Sequence, residues 1–281
     1  MPNRSGALSC SLVAVGLLVT GCGDDAGGDP TEIMLGETTF VTIVNPAVNE
    51  ATDAVVPEPG TARSDVRVEA DGGGPSVRTD EDGVGVLSPV EAGSRTLSMS
   101  GEGIDGSLVE GIADRDLVEL AIAGEGDRVE RMARVVYAFG ADVVELAADT
   151  PISEVNDALA NSNRIVLLEG GTYEGDLEFS GSDVTLFGEG VGGGRVFIDG
   201  NVEVGGSGNR IRGATITGGL DVSGSDFGMS FSRVEGDVVL GGSDATLLQS
   251  GFCGSVDVGG SNIVALGNRG MAPVPAPADC P

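Results

Sequence analysis

From Tyr173 to Gly267, apolar and polar positions recur in a fixed order that reads as columns. Five serines in Gly-rich turns anchor the pattern: Ser182, Ser207, Ser225, Ser243 and Ser261, the last four 18 residues apart and the first gap 25. Nine residues before each anchor stand Tyr173, Ile198, Ile216, Val234 and Phe252. Seven before, there is always glycine: Gly175, Gly200, Gly218, Gly236 and Gly254. Apolar residues fill the position five before (Leu177, Val202, Leu220, Val238, Val256) and three before (Phe179, Val204, Val222, Leu240, Val258). They also fill the position four after (Leu186, Ile211, Met229, Leu247, Ala265). This order predicts short alternating strands separated by glycine turns, and no single unit can bury its apolar side alone. Stacking the units buries every column at once, which predicts a parallel β-helix of about five coils. A left-handed hexapeptide helix shares the coil length, but its aliphatic positions recur throughout the coil. Here one of its required columns, Thr185, Arg210, Gly228, Thr246 and Val264, breaks that rule, so the right-handed form is expected.

Residues 37–140 alternate differently. The stretch 38–44 is rich in β-branched residues and ends at Asn45-Pro46, a turn signal. Asp65-Val66-Arg67-Val68-Glu69 alternates strictly and meets Asp71-Gly72-Gly73-Gly74. Further strands are expected over 76–79, 84–87, 94–100 and 117–123, with Gly83 able to supply a positive φ in its turn. Short strands punctuated in this way predict an antiparallel β-sandwich. Residues 127–139 are ambiguous: Arg128, Arg131 and Arg134 fit one face of a helix, whereas Ala133, Val135, Tyr137 and Phe139 fit a strand. A strand from about Arg134 is preferred, its arginines pairing with carboxylates of their own domain.

Residues 141–270 hold the join and the solenoid. Ser153 is placed to cap a short helix over 154–161, with Glu154 near its positive end and Val155, Ala158 and Leu159 on one apolar face. An open solenoid end invites pairing with other chains, so this helix is expected to cover the N-terminal end. The fold class is therefore all-β: a sandwich, a capping helix and a short-coil right-handed parallel β-helix.

Two resemblances attach to these residues. Val66-Arg67-Val68, the stretch 79–87 (TDEDGVGVL) and 91–97 (EAGSRTL) resemble the transthyretin-like modules related to carboxypeptidase regulatory domains. That resemblance implies a spacer or interaction platform without catalytic residues. Ala158-Leu159, Arg164-Ile165-Val166-Leu167-Leu168 and Gly171-Thr172-Tyr173 resemble the opening coil of pectin-lyase-like right-handed β-helices. Coils of 18 residues are short for that type. With phrases such as Val234-Glu235-Gly236-Asp237-Val238, they also look like the bactofilin scaffolds.

Residues 1–21 have the three parts of a secretory signal: Arg4, an apolar run over 8–19, and the small-residue region Val19-Thr20-Gly21. Val19-Thr20-Gly21-Cys22 looks like a bacterial lipobox, which implies lipidation of Cys22, with residues 22–36 as a Gly/Asp-rich tether. This implies a cell-envelope location, at the outer membrane or cell surface, with the membrane as partner through the anchor. Cys253 and Cys280 then remain. In an oxidising compartment they either pair, tying the Pro/Ala-rich tail 271–281 to the solenoid, or persist as free thiols.

Charge narrows the function. The chain carries 44 acidic residues against 15 basic ones, a net charge of −29, and its basic residues are all arginine. Such a surface repels DNA, RNA and anionic lipid head groups, so no nucleic-acid partner is expected. With no histidine, Ser-His-Asp, Cys-His and histidine-ligated zinc chemistry are excluded. Glu178, Glu203 and Asp221, followed by Val239 and Asp257, form an outward column between two inward ones, so three carboxylates stack on consecutive coils. An ordinary solvated face is the simplest account, with a calcium stripe on Glu178, Glu203 and Asp221 as the alternative; no cofactor is expected otherwise. Asp183, Asp226, Asp244 and Asn262 follow the anchor serines as turn formers. The grouping available to a polysaccharide lyase or hydrolase is Arg210, Arg212 and Arg233 near Asp221 and Asp226. The one insertion, residues 189–195 (EGVGGGR), offers little for building a cleft. The expected function is a non-enzymatic scaffold of structural, adhesive or binding kind, its partner a polysaccharide or another envelope protein. The alternative is a carbohydrate-active enzyme or polysaccharide-binding module of the pectin-lyase-like type.

Overall fold

A computed structural model of the protein describes residues 39–43, 64–80, 83–87, 90–113, 116–138, 142–271 and Cys280. The expected signal segment 1–21, Cys22 and the tether lie outside the described residues, as does most of the tail 271–281. Among the described residues, strands dominate, with one helix.

The N-terminal part contains β1 (Thr39–Ile43), β2 (Arg67–Ala70), β3 (Ser76–Arg78), β4 (Val84–Leu87), β5 (Gly93–Gly101), β6 (Ile104–Ile112), β7 (Asp116–Glu125) and β8 (Arg128–Ala138). They form two four-stranded sheets, β4-β1-β7-β8 and β3-β2-β5-β6. Neighbours run antiparallel except β1 and β7, which pair in parallel. Val68, Leu97, Met99 and Ile104 of one sheet meet Leu87, Val118, Leu120 and Ile122 of the other in a shared core.

Strand β6 was not among the expected strands, because glycine and serine interrupt its β-branched character and a glutamate points inward. That residue, Glu110, is buried, and Arg131 Nη1 and Arg134 Nε each donate to it at 2.7 Å. Strand β8 begins at Arg128, six residues before the expected start, and runs to Ala138. Residues three apart on a regular strand face opposite ways, yet Arg131 and Arg134 reach the same carboxylate. A bulge explains this: Ile122 is opposite Arg131 and Ala121 opposite Ala133, leaving Met132 as the extra residue that restores the side. The helix-like spacing of arginines is the signature of that bulge.

The C-terminal part is a right-handed-type β-helix of about 7 turns, two more than the anchored pattern predicts. Its first face stacks β9 (Asp142–Leu146), the starts of β10 (Arg164–Glu174) and β12 (Val184–Asp199), then β14 (Arg210–Arg212), β17 (Gly228–Ser230), β20 (Thr246–Leu248) and β23 (Val264–Leu266). The second face stacks the ends of β10 and β12, then β15 (Ala214–Ile216), β18 (Arg233–Val234) and β21 (Gly251–Phe252). The third stacks β11 (Leu177–Phe179), β13 (Val202–Val204), β16 (Leu220–Val222), β19 (Val238–Leu240) and β22 (Val256–Val258). The third face has the five rungs read from the anchors. The extra rungs, β9 and the start of β10, carry no Gly-Ser turn, because after β9 the chain enters the helix instead of closing a coil. Val166, Leu186, Ile211, Met229 and Leu247, stacked on consecutive rungs, are buried in the interior.

Helix α1 spans Ile152–Leu159, capped by Pro151 without a side-chain hydrogen bond, so Ser153 lies inside its first turn and is not the cap. Proline has no side-chain acceptor to offer, and its carbonyl instead accepts from the amides of Glu154 at 2.9 Å and Val155 at 3.3 Å. Val155, Ala158 and Leu159 are buried against the first rungs. Asn156 substitutes for a missing strand: its Nδ2 donates to Asp176 O at 3.1 Å and its Oδ1 accepts from Glu178 N at 2.9 Å. The edge of β11 is thereby satisfied, as a solenoid terminus requires.

The insertion 189–195 is no loop. It lies within β12 and pairs in parallel with β10 across two register shifts. At the other end, a disulfide joins Cys253, between β21 and β22, to Cys280, with Cα atoms 5.4 Å apart.

Candidate functional site

The first face of the solenoid is buried on both sides, which the column reading did not anticipate. Its outward positions run Leu167, Phe187, Arg212, Ser230, Leu248 and Leu266, all in register. Against them pack Leu117 and Ala121 of β7 and Ala133, Val135 and Tyr137 of β8. The sheet β4-β1-β7-β8 therefore has one face on the sandwich core and the other on the solenoid, and the continuous apolar character of β7 follows from that double burial. Gly228 belongs to the column that disqualified the left-handed form. A Cβ there would collide with Arg210 Cδ and meet Val135 Cγ1 at 3.0 Å, so this glycine leaves room for both the Arg210 side chain and strand β8.

A polar cluster sits inside this seam. Arg212 Nε donates to Glu119 Oε1 at 2.7 Å, and the two side chains are 1% and 2% exposed. Tyr137 donates to Glu119 Oε2 at 3.3 Å and shares a hydrogen bond with Ser230 Oγ. The guanidinium carbon of Arg212 lies 5.0 Å from the ring centre of Phe187 and 5.2 Å from that of Phe231. An arginine suits such a site because its planar, weakly hydrated cation stacks on aromatic faces while its fork pairs with a carboxylate. Phe231 holds a positive φ of 47°, unusual for a bulky residue. Backbone strain of about 1–3 kcal/mol is expected there.

The expected catalytic grouping is taken apart by this arrangement. Arg212 faces the sandwich. Arg210 Nη2 pairs with Asp226 Oδ2 at 3.0 Å, and Nη1 donates to Asn209 O at 3.1 Å and to Asp226 O. Arg233 Nε lies 3.2 Å from Glu235 Oε1 on the second face. Asp221 is on β16 of the third face, so the residues do not converge. Asp183, Asp226, Asp244 and Asn262 have φ of 56, 53, 58 and 56°, the left-handed conformation that turn-forming Asp and Asn tolerate.

Glu178, Glu203 and Asp221 do align in consecutive register, with Val239 and Asp257 beyond them, and all are exposed. Among the described residues, no three acidic, cysteine or histidine side chains are grouped to hold a metal ion. Beside this column, Asp237 Oδ1 accepts from both the amide and the hydroxyl of Ser255 at 2.8 Å, which holds its carboxyl below the usual range.

Sequence reasoning missed Glu119, Tyr137, Ser230, Phe187 and Phe231. The available signal was the outward column from Leu167 to Leu266, in which Leu167, Phe187, Leu248 and Leu266 are large apolar residues out of place on a solvated face. No family model, curated protein or solved structure matches the chain.

Both tyrosines of the chain are held neutral. Burial, with the Glu119 carboxylate beside it, pushes the Tyr137 hydroxyl well above its ordinary 10.0. Burial and Glu169 push Tyr173 up to about 12, although its hydroxyl donates to Glu169 O at 2.9 Å. Above pH 10 the unfolded chain loses protons that the folded chain retains, so stability is complete below pH 10 and falls as pH rises beyond it. Tyrosinate absorbance is expected to appear only above the ordinary value and together with loss of the β-sheet circular dichroism signal. Ionisation of both tyrosines near 10 with the fold intact would contradict this placement.

Proposed function

We propose that the protein is a non-enzymatic cell-envelope scaffold, lipid-anchored through Cys22, in which a transthyretin-like sandwich and an acidic β-helix form one rigid body. The observation that carries this reading is the burial of Arg212 against Glu119. The arginine most suited to chemistry on the solenoid lies under a covering sheet, and its neighbours Arg210 and Arg233 hold local ionic partners. A rigid rod of this charge serves for structure, for adhesion, or for presenting a surface to another envelope component.

The test is a screen of acidic and neutral polysaccharides for cleavage, with Arg210→Ala and Asp221→Ala as controls. No cleavage is expected by any of the three proteins. Cleavage by the parent chain that both substitutions abolish would replace the scaffold reading with a pectin-lyase-like carbohydrate-active enzyme.

A further inference from the structure

The sandwich carries a cleft of about 410 Å³, formed where the turn at residues 70–75 faces Val90, Glu91 and Arg95. That size lies within the range of small-molecule sites. Buried Ala70 and Val90, together with Pro75, supply the apolar part of the lining. The turn closes through Gly74 N donating to Asp71 O, with φ of 71 and 79° at Gly72 and Gly73. Their amides donate to no acceptor among the described residues. The space beside both is open, since a Cβ at either would meet nothing within 4 Å.

Arg95 is fixed in this cleft from one side only. Its Nε donates to Glu91 O at 2.8 Å, and Nη2 donates to Glu91 Oε2 at 2.9 Å and Ala92 O at 3.2 Å. Nη1 is left facing Asp71 Oδ1 across 4.0 Å, too far for a direct hydrogen bond. A hydroxyl between them can accept from the guanidinium and donate to the carboxylate at once. The cleft thus offers donors and acceptors in alternation around an arginine already oriented by its neighbours. Two carboxylates against one guanidinium leave it negative within a chain of net charge −29, which disfavours anions. Arg95 itself opposes a cation.

We infer that this cleft is a binding site for a neutral polyhydroxylated ligand, an uncharged glycan unit whose adjacent hydroxyls bridge Arg95 and Asp71. The scaffold reading does not require this site, and the site does not require a lipid anchor or any activity of the solenoid. Lacking an aromatic platform, the contact is weak, and affinity comes from many units on one chain or many proteins on one surface.

The test is titration of the ¹⁵N-labelled chain with neutral and uronic-acid oligosaccharides, read at the amides of Gly72, Gly73 and Gly74. Saturable shifts at these amides with a neutral oligosaccharide, at least ten-fold weaker with acidic ones, are expected. Arg95→Met and Asp71→Ala should each weaken binding at least ten-fold. An unchanged amide spectrum away from the cleft would show that each variant is folded, and the exposed Asp71 provides the milder of the two changes. Absence of saturable shifts, equal response to acidic oligosaccharides, or full binding by folded Asp71→Ala would overturn the assignment. None of these outcomes bears on the cleavage screen, so the two proposals fail separately.

Discussion

Replacing Arg212 with alanine is expected to destabilise the folded chain by about 3–5 kcal/mol, because Glu119 would be left buried without the charge that its Oε1 now faces at 2.7 Å. Glu119→Ala should cost a similar amount by stranding Arg212 between Phe187 and Phe231. The pair itself contributes far less, since the cost of removing both ions from water offsets most of their attraction. The double variant Arg212→Met with Glu119→Leu should therefore recover most of the loss. Denaturant unfolding of the four proteins measures the two losses and the recovery. The single variants should also show the sandwich leaving the solenoid before the β-helix melts, a biphasic transition where the parent has one. Single variants as stable as the parent would mean that the seam holds without its polar cluster, and the rigid-body element of the proposed function would fall with it.

The second large effect is expected at the glycine preceding the anchor serine. In the stacked turns a Cβ on Gly242 would collide with Gly224 O, and one on Gly260 with Gly242 O. Rungs lie about 4.8 Å apart, and the obstructing atom is backbone, so no side chain can move aside. Gly242→Ala should destabilise by at least about 3 kcal/mol, at the upper end of overpacking costs. Gly259 is the matched control one residue from the same column, since a Cβ there would meet nothing within 4 Å. Gly259→Ala should change stability by no more than about 0.5 kcal/mol. Thermal melts of the two variants decide the matter, and equal melting temperatures would show that the rungs can separate to accommodate a methyl group.

Much of this fold was legible because solenoid stacking writes the same demand at every coil. Inward columns must be apolar, turns tolerate only residues that accept close backbone approach or positive φ, and these constraints repeat with the period of the coil. The third face, the buried side of α1 and the turn residues from Asp183 to Asn262 follow from that repetition. Where the repetition lapses, so did the reading. Strand β9 and the start of β10 read as strands but have no anchor turn, so they were not counted among the five coils, and β6 hides behind glycines and an inward glutamate. The bulge at Met132 gave a strand the arginine spacing of a helix.

The sequence by itself determined the β-helix, its inward columns, the sandwich-like strands before it and the excess of negative charge, because each rests on local pattern or composition. That the sandwich lies on the first face, and with it the fate of Arg212, is set by how the two sheets dock. A charge column along one strand stack carries no record of which distant strand will cover it. Glu119 and Arg212 are 93 residues apart, and their pairing is set by the docking of two sheets rather than by any spacing along the chain. The same physics separates Asp221 from the arginines, since successive strands of one coil face different directions however close they stand in sequence.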